Sequence, residues 1–380
     1  MTICKHCVMD DTADPDIWFD QEGICNYCWE YDQRADEGLF EDYYPEAFNA
    51  VIGKIKADAK GKPFDCVIGL SGGLDSSYTA HILAQAGIKP LVVLVDNGWD
   101  TEIAKDNVTR ILDGLNLPWI KYELDLPQFH DLQLAFLKAG VANAEAPTDH
   151  AIVSLLYQTA IKYDLKWIVH GGNIVSEAIM PEAWGYDAKD WKHIEAIHTL
   201  FGKRSLKGFP HMTVWNWFKY TFVKKIKWLP ILNYIPYRKN TAERELRSYY
   251  CWHDYGHKHC ESIYTRWVQG YLLPGKFGVD KRKAHLSTLI NSGQMSRKEA
   301  LDKLSHSPFD SMEDAELIGK TLVGDFEHWG EWTNILSAPL VPHSVYPSNE
   351  KWFKRFSGIV KMARRKATYR ERPKPLLSRA

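Results

Sequence analysis

One segment identifies the fold of this 380-residue chain: Phe64-Asp65-Cys66-Val67-Ile68-Gly69-Leu70-Ser71-Gly72-Gly73-Leu74-Asp75-Ser76-Ser77. Its apolar first half is typical of a buried parallel strand, and its glycine-rich turn leads into an amphipathic helix that ends at Gly87. A strand, a glycine-rich turn and a helix bring free backbone N–H groups and the positive end of the helix dipole to one point. The segment therefore predicts a phosphate site.

The spacing of the glycines excludes two common phosphate-binding loops. The segment has no lysine as in Gly-x4-Gly-Lys-[Ser/Thr], and it lacks Gly-x-Gly-x-x-Gly, so neither a Walker A loop nor a dinucleotide-binding turn fits. Residues 71–77 instead resemble the PP-loop of the ATP pyrophosphatase superfamily, whose signature Ser-Gly-Gly-x-Asp-Ser-[Ser/Thr] is matched at every position. The resemblance implies that the loop holds the β,γ-pyrophosphate of ATP while a substrate oxygen attacks the α-phosphorus.

Strands and helices alternate after the PP-loop, which predicts an α/β fold with a parallel sheet and helices on both of its faces. The predicted strands are Pro90–Val95, Trp119–Glu123 and Trp167–His170, and the helices are Glu102–Leu115 and Asp149–Tyr163. Open parallel sheets bind ligands outside the carboxyl ends of their strands. We therefore expect the nucleotide to be bound by the loop and by the turns after the strands, at Ser71, Gly72, Gly73, Asp75, Ser76, Ser77, Asp96, Asn97, Gly171, Gly172 and Asn173.

Four cysteines near the start of the chain have metal-ligand spacing. They form the pairs Cys4-x2-Cys7 and Cys25-x2-Cys28, separated by a segment that reads as a hairpin. Two such pairs suit tetrahedral zinc, and four thiolates leave no open position, so we expect a structural zinc ribbon. An iron–sulfur cluster is the alternative that the cysteines alone do not exclude.

Composition and charge limit the class of protein. The chain is 45% hydrophobic with 47 basic and 48 acidic residues, which favours a globular enzyme and argues against a general nucleic-acid-binding surface. No secretory signal or transmembrane segment is recognisable, so we expect a cytoplasmic protein. Residues 351–380 are strongly basic, which fits either a solvated tail or a docking arm for an acidic protein, a phosphate-bearing substrate or a membrane. Val214–Ile235 reads as an amphipathic helix, which either packs against the catalytic domain or forms a dock for the partner or a contact with a membrane surface.

The reaction type depends on the nucleophile. Sulfur transfer by PP-loop enzymes usually requires cysteines near the ATP site, and here only Cys251 and Cys260 are candidates, nine residues apart. Nitrogen transfer is therefore favoured, with a tRNA sulfurtransferase as the alternative. A scaffold that binds zinc and nucleotide without catalysis is a third reading. The chain has no recognisable glutaminase motif, so ammonia would require a separate partner.

Several motifs resemble the N-acetyl sugar amidotransferase family of surface-polysaccharide biosynthesis. They include Cys260-Glu261-Ser262-Ile263-Tyr264-Thr265-Arg266, Gln269-Gly270-Tyr271 and Asp280-Lys281-Arg282-Lys283-Ala284-His285. The resemblance implies ATP-dependent conversion of an acetamido group on a nucleotide-activated sugar to an acetamidino group. It also implies a glutaminase–synthase pair resembling imidazole glycerol phosphate synthase as the ammonia source.

Candidate catalytic residues follow from this chemistry: Asp75, His259, Glu261, Lys281 and Lys283. Asp75 is a candidate Mg²⁺ ligand, and Glu177 is either a second one or a solvated helix residue. His259 and Glu261 suit proton transfer from ammonia, and the two lysines suit anionic groups of the sugar nucleotide. Four regions are predicted: a zinc ribbon (1–45), a PP-loop domain (46–200), a helical substrate or partner region (201–350) and a basic tail (351–380).

Overall fold

The PP-loop follows the central strand of a parallel sheet. In a computed structural model, residues 1–38, 45–256, 260–309, 311–324 and 329–356 are described, and within them five strands form a sheet of order β3-β2-β1-β4-β5. Neighbouring strands all pair in parallel. The predicted α/β fold is confirmed. The strands are β1 (Cys66–Gly69), β2 (Pro90–Asp96), β3 (Trp119–Glu123), β4 (Trp167–His170) and β5 (Lys227–Pro230).

Helices cover both faces of the sheet, because successive strand residues point to opposite sides. On β1, Ile68 packs with the buried residues of α3 (Leu74–Gln85), the helix that follows the PP-loop. Its neighbour Val67 packs on the other face, against α6 (Ala146–Lys162). Both faces of the central strand are thus buried, as its continuous apolar sequence predicts.

Most of the remaining described chain is helical. Among the described residues, no helix combines the length and the apolar character that a membrane span requires. The other helices are α1 (Asn26–Gly38), α2 (Pro45–Asp58), α4 (Glu102–Leu115), α5 (Leu126–Ala139), α7 (Ile174–Glu177), α8 (Trp191–Phe201), α9 (Val214–Phe218), α10 (Lys239–Tyr250), α11 (Ile263–Trp267), α12 (Lys281–Asn291), α13 (Arg297–Ser305), α14 (Met312–Val323) and α15 (Trp329–Ser337). There are also π-helical turns at Lys219–Val223 and Val268–Phe277 and short 3₁₀ turns at Glu182–Trp184, Ile231–Tyr234 and His343–Val345.

The segment Val214–Ile235 is not the single amphipathic helix that its sequence pattern predicts. It is divided into α9, the first π-helical turn and β5. Leu229 of β5 pairs with Val169 of β4. The edge of β4 offers backbone hydrogen-bond partners that a continuous helix would leave unpaired, so pairing with the sheet outweighs the local helical pattern.

The cysteine-rich N-terminal unit (residues 1–38) packs on the C-terminal helices. Arg297 of α13 donates hydrogen bonds to the carbonyl oxygens of Cys4 and Cys7, both at 3.0 Å. The N–H of Val8 donates to Ser287 Oγ of α12 at 3.2 Å. The N-terminal cysteine cluster and the mainly helical C-terminal region of the predicted architecture are therefore confirmed.

The boundaries of the four predicted regions stay predictions. Strand β5 belongs to the sheet, although it lies in the helical region that was predicted to begin at residue 201. Residues 39–44, at the predicted end of the ribbon, lie outside the described residues, as do residues 357–380 of the basic tail.

Two glycines allow close approach of the PP-loop to its neighbours. Gly72 has a φ of +79°, and a Cβ on it would lie 2.3 Å from the carbonyl oxygen of Ala104. A Cβ on Gly171, in the turn after β4, would lie 2.6 Å from the backbone of Asp75. Any larger residue would push these backbones apart. The loop therefore approaches α4 because residue 72 is glycine, and it approaches the turn after β4 because residue 171 is glycine.

Replacing Gly72 with Ala should lower the free energy of unfolding by roughly 2 to 4 kcal/mol, because a steric overlap adds to the cost of left-handed backbone. Gly61→Ala is the matched control, since Gly61 has a φ of +81° but no atom within 4 Å of its would-be Cβ. The control should lose about 1 kcal/mol. Urea unfolding measures both variants, and equal losses would contradict the importance of the Ala104 contact.

His150 is a buried neutral side chain. The N–H of Met212 donates to its Nε2 at 3.0 Å, so the ring proton lies on Nδ1 and is donated to Ala188 O at 2.7 Å. Burial lowers the pKa of His150 to about 4 because the charged ring would lose its hydration. Burial lowers the pKa of His193 to about 4 as well.

Stability should therefore fall as the pH is lowered from about 6.5 to about 4, because the unfolded chain binds protons that the folded chain does not. His150 contributes at most about 3 kcal/mol to this loss, at about 1.4 kcal/mol for each pKa unit. In His150→Gln the free energy of unfolding should depend less steeply on pH across this window. Urea titrations at several pH values measure the slope, and an unchanged slope would show that His150 does not contribute.

Candidate active site

A cavity of about 310 Å³ opens at the carboxyl edge of the sheet, beside the ends of β1 and β4. The strand order changes direction between these two strands, and open α/β sheets bind ligands at such a point. The structure brings six of the predicted nucleotide-binding residues together here. They are Ser71, Gly73, Asp75, Ser76, Gly171 and Gly172.

Hydrogen bonds hold the PP-loop in a tight turn. The Oγ atoms of Ser71 and Ser76 lie 3.2 Å apart, and the N–H of Ser71 donates to Ser76 Oγ at 3.3 Å. From outside the loop, Trp252 Nε1 and Asn107 Nδ2 donate to the carbonyl oxygen of Gly72 at 2.9 and 3.3 Å. The loop is therefore braced from within and from the neighbouring elements.

The predicted catalytic residue Glu261 lies against the PP-loop. Ser71 Oγ donates to its Oε1 at 3.4 Å. Nearby, the hydroxyl of Tyr255 accepts the N–H of Leu74, the first residue of α3, at 3.2 Å. Burial raises the pKa of Tyr255, and the Glu261 carboxylate raises it further, so the phenol stays neutral. The predicted catalytic residue His259 lies outside the described residues.

Asp75 and Glu177 both line the cavity. The hydroxyl of Tyr237 donates a hydrogen bond to Asp75 Oδ1. Burial raises the pKa of Tyr237, and the two carboxylates add to this effect, so the tyrosine remains a donor. Carboxylate oxygens are the ligands that Mg²⁺ prefers, so this pair fits the predicted magnesium site.

The consecutive cations at the start of α12 point in different directions. Lys281 lines the cavity, and its Nζ donates to Glu145 Oε2 at 3.1 Å. Arg282 lines the cavity as well. Lys283 is not among the residues that line the cavity, since it donates instead to Asp10 of the N-terminal unit. The structure thus brings one of the two predicted catalytic lysines to the cavity, while the other joins α12 to the cysteine-rich unit.

The other predicted nucleotide-binding residues are not in the cavity lining. Asp96 forms an ion pair with Lys121 at 2.8 Å, which lowers the pKa of the carboxyl group. Asn173 accepts the N–H of Ser176 at 2.9 Å and donates to Gly171 O at 3.0 Å, so it shapes the turn after β4. A nucleotide-binding role stays a prediction for all five, which are Gly72, Ser77, Asp96, Asn97 and Asn173.

Several residues of the cavity were not among the residues predicted from the sequence. Arg266 donates to Asp314 at 2.8 Å, and Gln269 donates to Glu145 at 3.1 Å. Both lie in motifs that resemble the amidotransferase family, and this resemblance could have identified them as site residues. Tyr237 and Lys239 lie outside the quoted motifs, so the sequence did not mark them as site residues. The residues in question are Tyr237, Lys239, Tyr255, Arg266 and Gln269.

The four N-terminal cysteines form one buried cluster. Their sulfur atoms lie within 4.8 Å of one another, with 3.6 Å between Cys7 and Cys25, 3.7 Å between Cys25 and Cys28, and 4.0 Å between Cys4 and Cys28. Four thiolates at about 2.3 Å from a central zinc ion would be about 3.8 Å apart. The cluster therefore fits a tetrahedral metal ion.

Comparison with known proteins gives one family match. Residues 261–360 match the family model described as LPS biosynthesis protein WbpG-like, C-terminal domain. No curated protein sequence matches the chain.

Similar solved structures include two synthetases and a thiolase. An NMN synthetase from Francisella tularensis is 14% identical, with 79% of this chain and 99% of that chain covered and a TM-score of 0.33. An NH3-dependent NAD synthetase from Campylobacter jejuni is 18% identical, with 54% and 93% covered and a TM-score of 0.29. The U34-tRNA thiolase NcsA from Methanococcus maripaludis is 12% identical, with 80% and 89% covered and a TM-score of 0.31. These TM-scores are low, so the fold assignment rests on the sheet order and the PP-loop themselves.

The matched segment supplies part of the cavity wall. It begins at Glu261 and includes Arg266, Gln269, Lys281 and Arg282, all of which line the same cavity as the PP-loop. Together the PP-loop and this domain support an ATP-using enzyme of LPS biosynthesis. Residues 261–360 are thus similar to the C-terminal domain of WbpG-like LPS biosynthesis proteins, which supports the family suggested by the sequence motifs of this chain.

Proposed function

We propose that this protein is an ATP-dependent amidotransferase that converts an acetamido group of a nucleotide-activated sugar into an acetamidino group. One observation carries the proposal: the PP-loop and the WbpG-like segment line one cavity, where Ser71 Oγ lies 3.4 Å from Glu261 Oε1. A motif that suits ATP thus faces a domain of LPS biosynthesis, and LPS is assembled from nucleotide-activated sugars. The resemblance of residues 260–285 to the amidotransferase family supports the reaction type.

The PP-loop would bind the pyrophosphate part of ATP. The N–H groups at the start of α3 and the hydroxyls of Ser71 and Ser76 are suited to phosphate oxygens. Asp75 and Glu177 would hold Mg²⁺, which offsets the negative charge of the phosphates. Tyr237 fixes the orientation of the Asp75 carboxylate through its hydrogen bond.

The C-terminal region would bind the sugar nucleotide. Lys239 and Lys281 line the cavity and would bind a sugar carboxylate or a diphosphate. Arg282 lines the cavity as well, but its guanidinium pairs with Asp280 at 2.8 Å. Glu145 holds the Lys281 ammonium group at 3.1 Å. Glu261 would accept a proton from the attacking ammonia, because its carboxylate lies beside the loop where the phosphates bind.

The reaction balances as two displacements. The amide oxygen of the acetamido group attacks the α-phosphorus of ATP, a P–O bond forms, and pyrophosphate leaves. Ammonia then adds to the activated amide carbon and loses protons, and the C–O bond breaks as AMP departs with the former amide oxygen. The acetamido group has exchanged an oxygen atom for an NH group.

The supply of ammonia and the location of the protein belong to the same proposal. Free ammonia is scarce at neutral pH because most of it is protonated. A separate glutaminase pair that resembles imidazole glycerol phosphate synthase would deliver it, as the family resemblance implies. Nucleotide-activated sugars are made in the cytoplasm, so the reaction would take place there.

Cys260 favours a second candidate, a tRNA sulfurtransferase. Its side chain is buried and lines the cavity, whereas Cys251 is exposed and is not among the lining residues. A pair of thiols at the ATP site is what sulfur transfer usually requires. With one thiol in the cavity, nitrogen transfer stays the better proposal, and replacement of Cys260 separates the two.

We further propose that the four-cysteine cluster holds structural Zn²⁺. Elemental analysis should find about one zinc and no iron for each chain, because four buried thiolates close the coordination shell. Cys25→Ser should lose the metal and unfold at lower temperature, while Cys66→Ser, outside the cluster, should keep it. Iron with visible absorbance would contradict the zinc assignment.

The amidotransferase proposal predicts AMP and pyrophosphate as products. Purified protein with Mg²⁺, ATP, ammonium at mildly alkaline pH and a panel of UDP- and CMP-linked acetamido sugars would be followed by phosphorus NMR and mass spectrometry. One sugar should become one mass unit lighter. With ¹⁸O in its acetamido group, the label should appear in AMP, because the amide oxygen attacks the α-phosphorus.

Variants of two lysines test whether the cations of the cavity contribute to the reaction. Lys281→Gln should lower kcat/KM by roughly 10- to 100-fold, since it removes a cavity cation. The matched control is Lys283→Gln, which should lower stability and leave kinetics nearly unchanged. Formation of ADP and phosphate would overturn the PP-loop mechanism. AMP release with tRNA and a sulfur donor, abolished in Cys260→Ser, would favour the sulfurtransferase.

A further inference from the structure

A surface that shares no residue with the cavity carries a cluster of aromatic rings. We name it the tryptophan face. It consists of Trp215, Phe218, Phe222, Trp352 and Phe356, whose rings contact one another. Trp215 is 61% exposed and Trp352 is 42% exposed, and their ring centroids are 5.9 Å apart. Adjacent indole rings in contact with water form an apolar patch of the kind that marks an interaction site.

Basic residues lie in the same two segments of the chain as the tryptophan face. Lys219, Lys224 and Lys225 are exposed in and after the π-helical turn that follows α9. In the second segment, the guanidinium of Arg355 lies 5.8 Å from the centroid of a Trp352 ring. Lys354 adds little net charge because it pairs with Glu350 at 2.7 Å.

The sequence that follows Phe356 is also basic. Residues 357–380 contain eight lysines and arginines and a single acid, Glu371. This segment is joined to the chain at Phe356, a residue of the tryptophan face.

We propose that the tryptophan face docks the protein on an anionic lipid surface. Indole rings favour the boundary between lipid headgroups and acyl chains, and lysine and arginine side chains are attracted by anionic headgroups. An acidic protein would satisfy the cations, but it would not by itself provide an apolar layer for two neighbouring indoles. A bilayer with anionic headgroups provides both the negative charge and the apolar layer.

The position of the face in the fold suits this role. Lys224 and Lys225 precede β5 with only Ile226 between them and the strand, so they lie at the amino edge of the sheet. The cavity opens at the carboxyl edge, at the ends of β1 and β4. A protein bound to lipid through the tryptophan face would keep its cavity open to water.

The test uses the full chain and sedimentation with vesicles. Vesicles of phosphatidylcholine with phosphatidylglycerol should bind the protein, vesicles of phosphatidylcholine alone should bind it weakly, and added salt should release it. Trp215→Ser with Trp352→Ser should weaken binding about tenfold, because both indoles leave the interface. Trp119→Ser is the matched control, since Trp119 is 52% exposed on β3. Circular dichroism verifies that each variant is folded.

A second pair of variants tests the charges. Lys224→Gln with Lys225→Gln should weaken binding to the anionic vesicles, whereas Lys192→Gln with Lys298→Gln, exposed lysines on α8 and α13, should not. Absence of binding by the unaltered protein would overturn the proposal. So would binding that is equally strong in the tryptophan variant, because the basic segment alone would then be sufficient. Capture of an acidic protein without binding to lipid would also overturn it.

Discussion

The close contact between the PP-loop and the turn after β4 sets the geometry of the site. A Cβ on Gly171 would lie 2.6 Å from the backbone of Asp75, so two backbone segments touch with no side chain between them. This contact requires β1 and β4 to be neighbours, as they are in the sheet. The chain must therefore leave β3 at one edge of the sheet and return past β1, and α5 and α6 lie in the connection. The position of the cavity follows from that crossing.

Helix α12 joins the two parts of the molecule that the sequence separates most widely. Its first turn places Lys281 at the cavity and Lys283 on Asp10 of the N-terminal unit. Ser287, farther along the same helix, accepts a hydrogen bond from Val8. The cysteine cluster thus acts through α12 as a support for one wall of the cavity, and the metal proposed for the cluster would stabilise that support.

Much of the fold was predictable from the sequence, because the decisive signals are local. The apolar β1, the PP-loop and the alternation of strands and helices identify the parallel sheet. The contacts that complete the cavity are not local: Tyr237 reaches Asp75 across 162 positions, and Tyr255 reaches Leu74 across 181. No short pattern marks such residues. Similarly, β5 is a strand because the edge of β4 is free to pair with it, and a single segment carries no information about that edge.

The pair Lys281 and Lys283 shows a second reason why site residues are hard to predict from the sequence. Both are basic and both lie in one motif, so composition gave them the same predicted role. Residues two apart on a helix are separated by about 200° around its axis and therefore face nearly opposite sides. Arg297 and Ser287, which hold the N-terminal unit, come from the last third of the chain. During synthesis the cysteine-rich unit emerges nearly three hundred residues before the helices on which it packs, so completion of the cavity is a late event in folding.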